Sequence, residues 1–406
     1  MLVGTLDTKG PEVSYLRDRL HDLDCTTTVV DVGILGEPLD IVPDISHEEV
    51  ARRGGTTIEA LRNAGTRGRA VGEMARSVRL VMSDLLEEGR VDAAIGLGGA
   101  EGAVMGAGAL MALPIGVPKL VLSPIASGRH EFEPLVGTSD MTVVHTVVDI
   151  LGLNPIATTV FDNAAAAVAG MAKHGSRLEP PQGESRFVAV TMLGNTTTAV
   201  MALRDRLAED GYEAVVFHSN GVGGPAMEEL ASAGIFVGVI DYTTNEVVDP
   251  LVGGIHDGGD DRLAVVGELG LPQVVVPGCI DFSVFASGSV PPELADRPKY
   301  DHNPEYTLIR MSHDEMVQIG GIFADRLGRA SGPVRILIPT RGLSIPNVPD
   351  GAFWDPAADA AFRESLTEAL DGTIPVEEID LHINDEQCGV AAAEAFLDLL
   401  AQQRSQ

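Results

Sequence analysis

Several things are scarce in this chain, and each shortage excludes something. There are three cysteines in 406 residues, Cys25, Cys279 and Cys388. They are odd in number and far apart, so neither a disulfide framework nor a clustered zinc motif is present, and a reducing compartment follows. Only four of the 28 basic residues are lysines: Lys9, Lys119, Lys173 and Lys299. Positive charge is short altogether, since 59 acidic residues bring the net charge to −31. A phosphate backbone would be repelled, which excludes nucleic acid as the main partner. No apolar run reaches about 18 residues, so no membrane-spanning helix is expected. The opening MLVGT reads as a strand and not as a signal peptide, so a cytoplasmic protein is expected. No serine sits in a G-x-S-x-G elbow, and the histidines lack H-E-x-x-H spacing.

What is present is 45% hydrophobic residues and 46 glycines, in a chain long enough for two domains. That composition suits an α/β protein rich in strand-to-helix turns. The stretch Val91–Ser123 is its most informative part. It reads as a buried strand (Val91–Leu97), a glycine turn (Gly98, Gly99, Ala100, Glu101, Gly102), a small-residue helix and a second strand (Lys119–Ser123). Continuous apolar strands joined by a crossover helix indicate a parallel sheet covered on both faces. The turn falls where a helix begins, and free amides with the positive end of the helix dipole seat an anion there. The pattern Gly98-Gly99-x-x-Gly102 is neither the P-loop nor the dinucleotide fingerprint.

Before this unit, strands are expected at Met1–Thr5 and Thr27–Val32, with a loop at Asp7–Gly10 and a helix from Pro11. Ser46 and Glu49 have capping-box spacing, so a helix starts near His47. A glycine- and arginine-rich loop (52–67) precedes a long helix over Gly68–Glu88. Thr142–Leu151 fits a strand or a buried helix, and Asn163–Lys173 a buried helix. Residues 176–185, double-proline and nearly free of apolar side chains, form a linker. The expected architecture is α/β, with two Rossmann-like parallel-sheet subdomains, 1–175 and 186–406, and an interdomain cleft. The second half repeats the opening order of the first: strand (Phe187–Met192), small-polar turn, helix, strand (Ala214–Phe217). Between Gln273 and Ser312 lies a long irregular stretch, of the kind that carries function.

Ligands of open parallel sheets bind beyond the carboxyl ends of the strands. The polar residues expected there in the first half are Asp7, Thr8, Lys9, Gly98 to Gly102, Ser123, Ser127, Thr138, Ser139 and Asp140. They supply a cation, hydroxyls, backbone amides and two carboxylates, Asp7 and Asp140, able to face a magnesium ion. In the second half the candidates are Asp281, His302, Arg341, His382 and Asp385. An arginine at a strand exit grips carboxylates bidentately, and a histidine oriented by a carboxylate acts as a general base. Three readings follow: a nucleotide-binding protein, an enzyme acting on a small carboxylate metabolite, or a two-lobed small-molecule sensor.

Nine stretches in one order resemble the family of Tm-one-like ATP-binding proteins. They are GTLDTKG (4–10), DVGILGEP (31–38), GLGGAEG (96–102), ASGRHEFEPLVGTSDMT (126–142), VTMLGNTT (190–197), FHSNGVGGPAMEEL (217–230), VVVPGCIDF (274–282), HNPEYTLIR (302–310) and LHINDEQ (381–387). The resemblance implies two Rossmann-like subdomains, a homodimer, and ATP binding with magnesium. In one place the chain departs from it. Where the family's loop reads Gly-Gly-Ser-Gly-Gly-Thr, this chain carries Ala100 and Glu101. A carboxylate 4 Å from a phosphate charge costs about 1 kcal/mol in water and about 4 kcal/mol near a protein surface. Glu101 therefore points aside, works through a metal, or marks a nucleotide lost or changed.

Overall fold

The computed structural model describes residues 1–126 and 133–404, with side chains left out at 133 and 134. The chain divides into two compact units, Met1–Glu179 and Pro180–Gln406.

In the first unit the elements run β1 (Leu2–Gly4), α1 (Leu6–Asp22), β2 (Val29–Asp31), α2 (His47–Arg53), α3 (Ile58–Arg62), α4 (Arg67–Glu87), β3 (Ala94–Leu97), α5 (Ala100–Leu110), β4 (Lys119–Ser123), α6 (Glu133–Val136), β5 (Thr142–His145) and α7 (Pro155–His174). The five strands form one parallel sheet in the order β2-β1-β3-β4-β5. Alternate residues of a strand point to opposite faces. Leu2, Ile95, Leu120 and Leu122 accordingly pack under α1 and α7, while Val3, Ala94 and Val121 pack under α4 and α5. Both faces are covered, which is why these strands read as unbroken apolar runs. The order reverses at β1 and β3, and there the loops leave in opposite directions and open a crevice.

The second unit continues with β6 (Phe187–Met192), α8 (Thr197–Glu209), β7 (Glu213–His218), α9 (Gly223–Ser232), β8 (Gly238–Thr243), α10 (Val265–Glu268), β9 (Gln273–Gly278), β10 (Phe282–Ala286), β11 (Lys299–Asp301), β12 (Tyr306–Arg310), α11 (His313–Leu327), β13 (Val334–Pro339), α12 (Pro356–Leu370), β14 (Val376–Ile379) and α13 (Glu386–Arg404). Its parallel sheet has the order β14-β13-β9-β8-β6-β7. Counted from its own first strand, this winding repeats that of the first unit and adds one strand. Both units are Rossmann-like.

Two expectations are corrected, and one left open is settled. The stretch from Gln273 to Ser312 is not irregular, because β10, β12 and β11 form a small antiparallel sheet. Its strands are only three to five residues long, too short for a clear alternation. The helix expected from Pro11 starts at Leu6 and kinks at Lys9 (φ −125°, ψ 15°), since Pro11 has no N–H to give to the turn before it. Residues 142–151 resolve as a strand over Thr142–His145 only.

At the core of the second unit Arg262 is fully buried among carboxylates. It pairs with Asp241 through two bonds of 2.6 Å, with Glu246 at 2.8 Å and with Glu228 at 3.2 Å. One cation does not neutralise three acids, and burial pushes the Glu228 carboxyl up to about 7 in spite of Arg262. The folded state thus keeps a proton that the unfolded chain, with an ordinary value of 4.5, has released. The stability this gives is complete below pH 4.5 and is lost as pH rises through about 7. Glu228→Gln keeps the neutral form at every pH. Its thermal midpoint relative to the parent should rise between pH 5 and pH 8, with an upper bound of about 3 kcal/mol. A difference that does not change with pH in parallel melts would exclude this account.

Candidate functional site

A pocket of about 1060 Å³ opens at the crevice between β1 and β3. Its floor is the turn joining β3 to α5. Gly98 serves packing, because a Cβ there would lie 2.5 Å from the carbonyl carbon of Gly102. Gly99 is different. A Cβ on it would meet nothing within 4 Å, and the residue faces the pocket. Gly98 donates its amide to Leu122 O at 3.2 Å. The amides of Gly99, Ala100, Glu101 and Gly102 have no hydrogen-bond partner among the described residues, and no side chain caps α5. Four free donors at the positive end of an eleven-residue helix make a seat for an anion.

The walls come from the other exits of the sheet. Thr5, Asp7, Thr8 and Lys9 follow β1. Asp7 Oδ2 accepts the amides of Leu35 (3.2 Å) and Gly36 (3.1 Å), which holds the loop after β2 against the site. Lys9 Nζ donates to Ile150 O, bracing the segment after β5. Asp31, buried at the end of β2, accepts the amide of Leu6 at 3.0 Å and so caps α1. Arg62, from α3, donates Nε to Ile34 O at 2.6 Å. Arg67, at the start of α4, places Nε 3.0 Å from Glu101 Oε1. Glu101 therefore turns toward a cation at the rim. Ile34, Leu35, Leu61, Val71, Met105 and Ile125 supply an apolar wall.

Of the residues chosen from sequence, Asp7, Thr8, Lys9, Gly99, Ala100, Glu101 and Gly102 come together here. Ser123 is buried at the end of β4 and accepts the amide of Ile125 at 3.3 Å. Ser127 lies outside the described residues. Thr138, Ser139 and Asp140 are at the wrong edge. They precede β5, and Asp140 pairs with Lys119 at the amino end of β4 while accepting the amide of Gly116 at 2.8 Å. Asp7 and Asp140 thus lie at opposite ends of the sheet and cannot share a magnesium ion. Arg62, Arg67 and Asp149 were missed, although arginines concentrated in the loop of so acidic a chain were a usable signal.

The five residues proposed for catalysis are not poised as one site. Asp281 is fully buried and accepts from Ser344 Oγ at 2.7 Å, and burial pushes its carboxyl up to about 6. His382 has both ring nitrogens on backbone groups, Ser344 O (2.9 Å) and Asn384 N (3.2 Å), while Asp385 caps its amide at 2.8 Å. Arg341 is exposed and clamped by Asp380 at 2.6 and 2.7 Å. His302 lines a separate pocket of about 270 Å³ with His218 and His256. Burial lowers His256 to about 4, so that ring is neutral near pH 7.

Comparison with known proteins matches both units. The model described as "Uncharacterised protein family (UPF0261) N-terminal domain" matches residues 1–177, and that of the C-terminal domain matches residues 185–400. A UPF0261 protein of Mesorhizobium japonicum is 38% identical over 402 residues, 98% of either chain. One from Clostridium tetani is 35% identical over 402 residues, again 98% of either chain. The ToMV resistance protein Tm-1(GCR237) of Solanum lycopersicum is 33% identical over 426 residues, which is 99% of this chain and 56% of the tomato protein.

The two glycines of the turn give a sharp contrast. Gly98→Ala forces a methyl into the α5 backbone and should cost about 3 kcal/mol, or roughly 6–12 °C in thermal midpoint. Gly99→Ala should melt like the parent. Equal midpoints for all three proteins would remove the packing role given to Gly98.

Proposed function

The chain belongs to the UPF0261 family, and on that footing we propose that its first unit binds a nucleotide, ATP in the first instance, with the phosphates on the amides of Gly99 to Gly102. The observation that carries this is the four donors, unpartnered among the described residues, at the floor of a pocket large enough for a nucleotide. The apolar wall suits a base. Lys9, Arg62 and Arg67 suit phosphates. A magnesium ion carried by the phosphates would find Asp7 and Asp149 among the lining groups, without Asp140. Homodimerisation belongs to the same reading. Val147, Leu151, Leu153 and Ile156 leave an apolar stretch exposed beside the segment that Lys9 braces. Among the described residues no helix is long and apolar enough to cross a membrane.

The Glu101–Arg67 pair answers the cost of a carboxylate in the turn. Both side chains are exposed, at 43% and 74%, so the pair is weak and Arg67 can turn to an incoming phosphate. Titration calorimetry with ATP and magnesium should give saturable heat. Glu101→Gln should tighten binding about tenfold, between the watered and surface limits for one repulsive charge. Lys9→Ala and Arg67→Ala should weaken it, and added salt should weaken the parent more than either of these two. No heat at millimolar ATP would end the nucleotide reading. Sedimentation as a monomer would end the dimer.

A further inference from the structure

The motif DVGILGEP, whose Ile34 and Leu35 line the pocket, also carries a residue the nucleotide reading leaves unused. Glu37 follows the held loop, and His47 and Glu48 open α2. His47 is 1% exposed, and its Nδ1 lies 2.6 Å from Asp31 Oδ2. Asp31 Oδ1 already accepts the amides of Leu6 (3.0 Å) and Gly33 (2.8 Å). The carboxylate is an acceptor on every side, so the ring proton belongs on Nδ1. Nε2 is left with its lone pair in the interior. It has no hydrogen-bond partner among the described residues. Glu48 Oε1 lies 3.1 Å away, but out of hydrogen-bonding alignment. Ligand atoms of Glu37, His47 and Glu48 all lie within 4.8 Å of one another.

A buried lone pair and two carboxylates gathered this closely repel one another unless something positive stands among them. We infer that Glu37, His47 and Glu48 bind a divalent transition-metal ion, zinc or manganese, beside the pocket of the first unit. An imidazole nitrogen favours such ions over magnesium and calcium, which take oxygen ligands, and two carboxylates complete a three-ligand set. Donors around an ion at roughly 2.0–2.2 Å sit about 3–3.5 Å from one another. The two glutamates are exposed and have the rotamer freedom to close that far. Asp31 then stands behind the histidine, as the carboxylate that fixes the orientation of a metal-bound ring. Since Asp7 holds the amides of Leu35 and Gly36 beside Glu37, the ion would tie one pocket wall to α2.

The test uses the full chain, stripped with a chelator and free of nucleotide, so it is independent of the nucleotide reading. Zinc and manganese are titrated by calorimetry in excess magnesium, and cobalt(II) is followed by visible absorption. The expected result is one zinc per chain and a cobalt spectrum of a nitrogen-ligated site. Glu37→Gln with Glu48→Gln changes only exposed carboxylates and should fold normally while losing about tenfold or more in affinity. His47→Gln should abolish the cobalt bands. Unchanged affinity and stoichiometry in the double variant would overturn the proposal, because the ion would then sit on the acidic surface at large. Absence of saturable binding by the parent would overturn it too, leaving His47 an ion-pair partner of Glu48.

Discussion

Helix α5 lies on β3 in direct backbone contact at its glycines. Gly96 and Gly106 meet backbone to backbone, since a Cβ on either would come within 3.1 Å of the other. At Gly98 the fit is closer still, since a Cβ there would lie 2.5 Å from the Gly102 carbonyl carbon. On its outer side α5 is met by α4, where a Cβ on Gly108 would touch that of Ala75 at 3.2 Å. A helix of small residues is thus clamped between strand and helix. That clamp sets its first turn directly over the end of β3, so its unpaired amides open past the sheet edge. Every other feature of the pocket is arranged around that edge: Asp31 capping α1, Asp7 holding the loop after β2, Lys9 bracing the segment after β5.

Carrying a charge of −31, the chain needs local means of offering positive potential. It uses backbone for most of it. The amides of Gly99 to Gly102 carry no titratable group and are untouched by the surplus of acid. Arg67 offsets the one carboxylate that the turn itself introduces. In the second unit the same surplus is absorbed differently, by burying Arg262 among three acids and keeping one of them protonated near neutrality.

Much of the fold could be read from the sequence, because doubly covered parallel strands leave continuous apolar runs and the helices between them carry recognisable caps. The strand Phe187–Met192, the strand Lys119–Ser123 and the Ser46 cap of α2 all lie where the pattern placed them. The site was half legible. The residues just after β1 and β3 follow from strand order alone, so Asp7 to Lys9 and Gly99 to Gly102 were found. Thr138 to Asp140 were placed at the wrong edge because the end of β4 and the start of β5 are separated by a connection whose length does not say where it crosses the sheet. Arg62 ends α3 and Arg67 begins α4, both inside what read as one loop. His382 and Asp281 looked catalytic in one dimension. Only the third dimension shows both ring nitrogens of His382 on backbone groups and one oxygen of a fully buried Asp281 on Ser344.

The two units share one winding, and the comparison shows how their glycine turns differ. In the second, the glycine turn after β7 also exposes amides, but Glu246 is delivered into it and accepts those of Gly221 (2.8 Å) and Gly224 (3.1 Å). The start of α8 is likewise taken, its Thr198 amide bound by Asn384 Oδ1 at 2.9 Å. There the protein supplies its own acceptor, and the turn is closed as structure. In the first unit α1 is closed in the same way by Asp31, while α5 receives no acceptor among the described residues. A shared fold thus yields a closed turn or an open one according to whether an acceptor side chain reaches the amides. Glu101, the carboxylate that the turn itself carries, pairs with Arg67 instead.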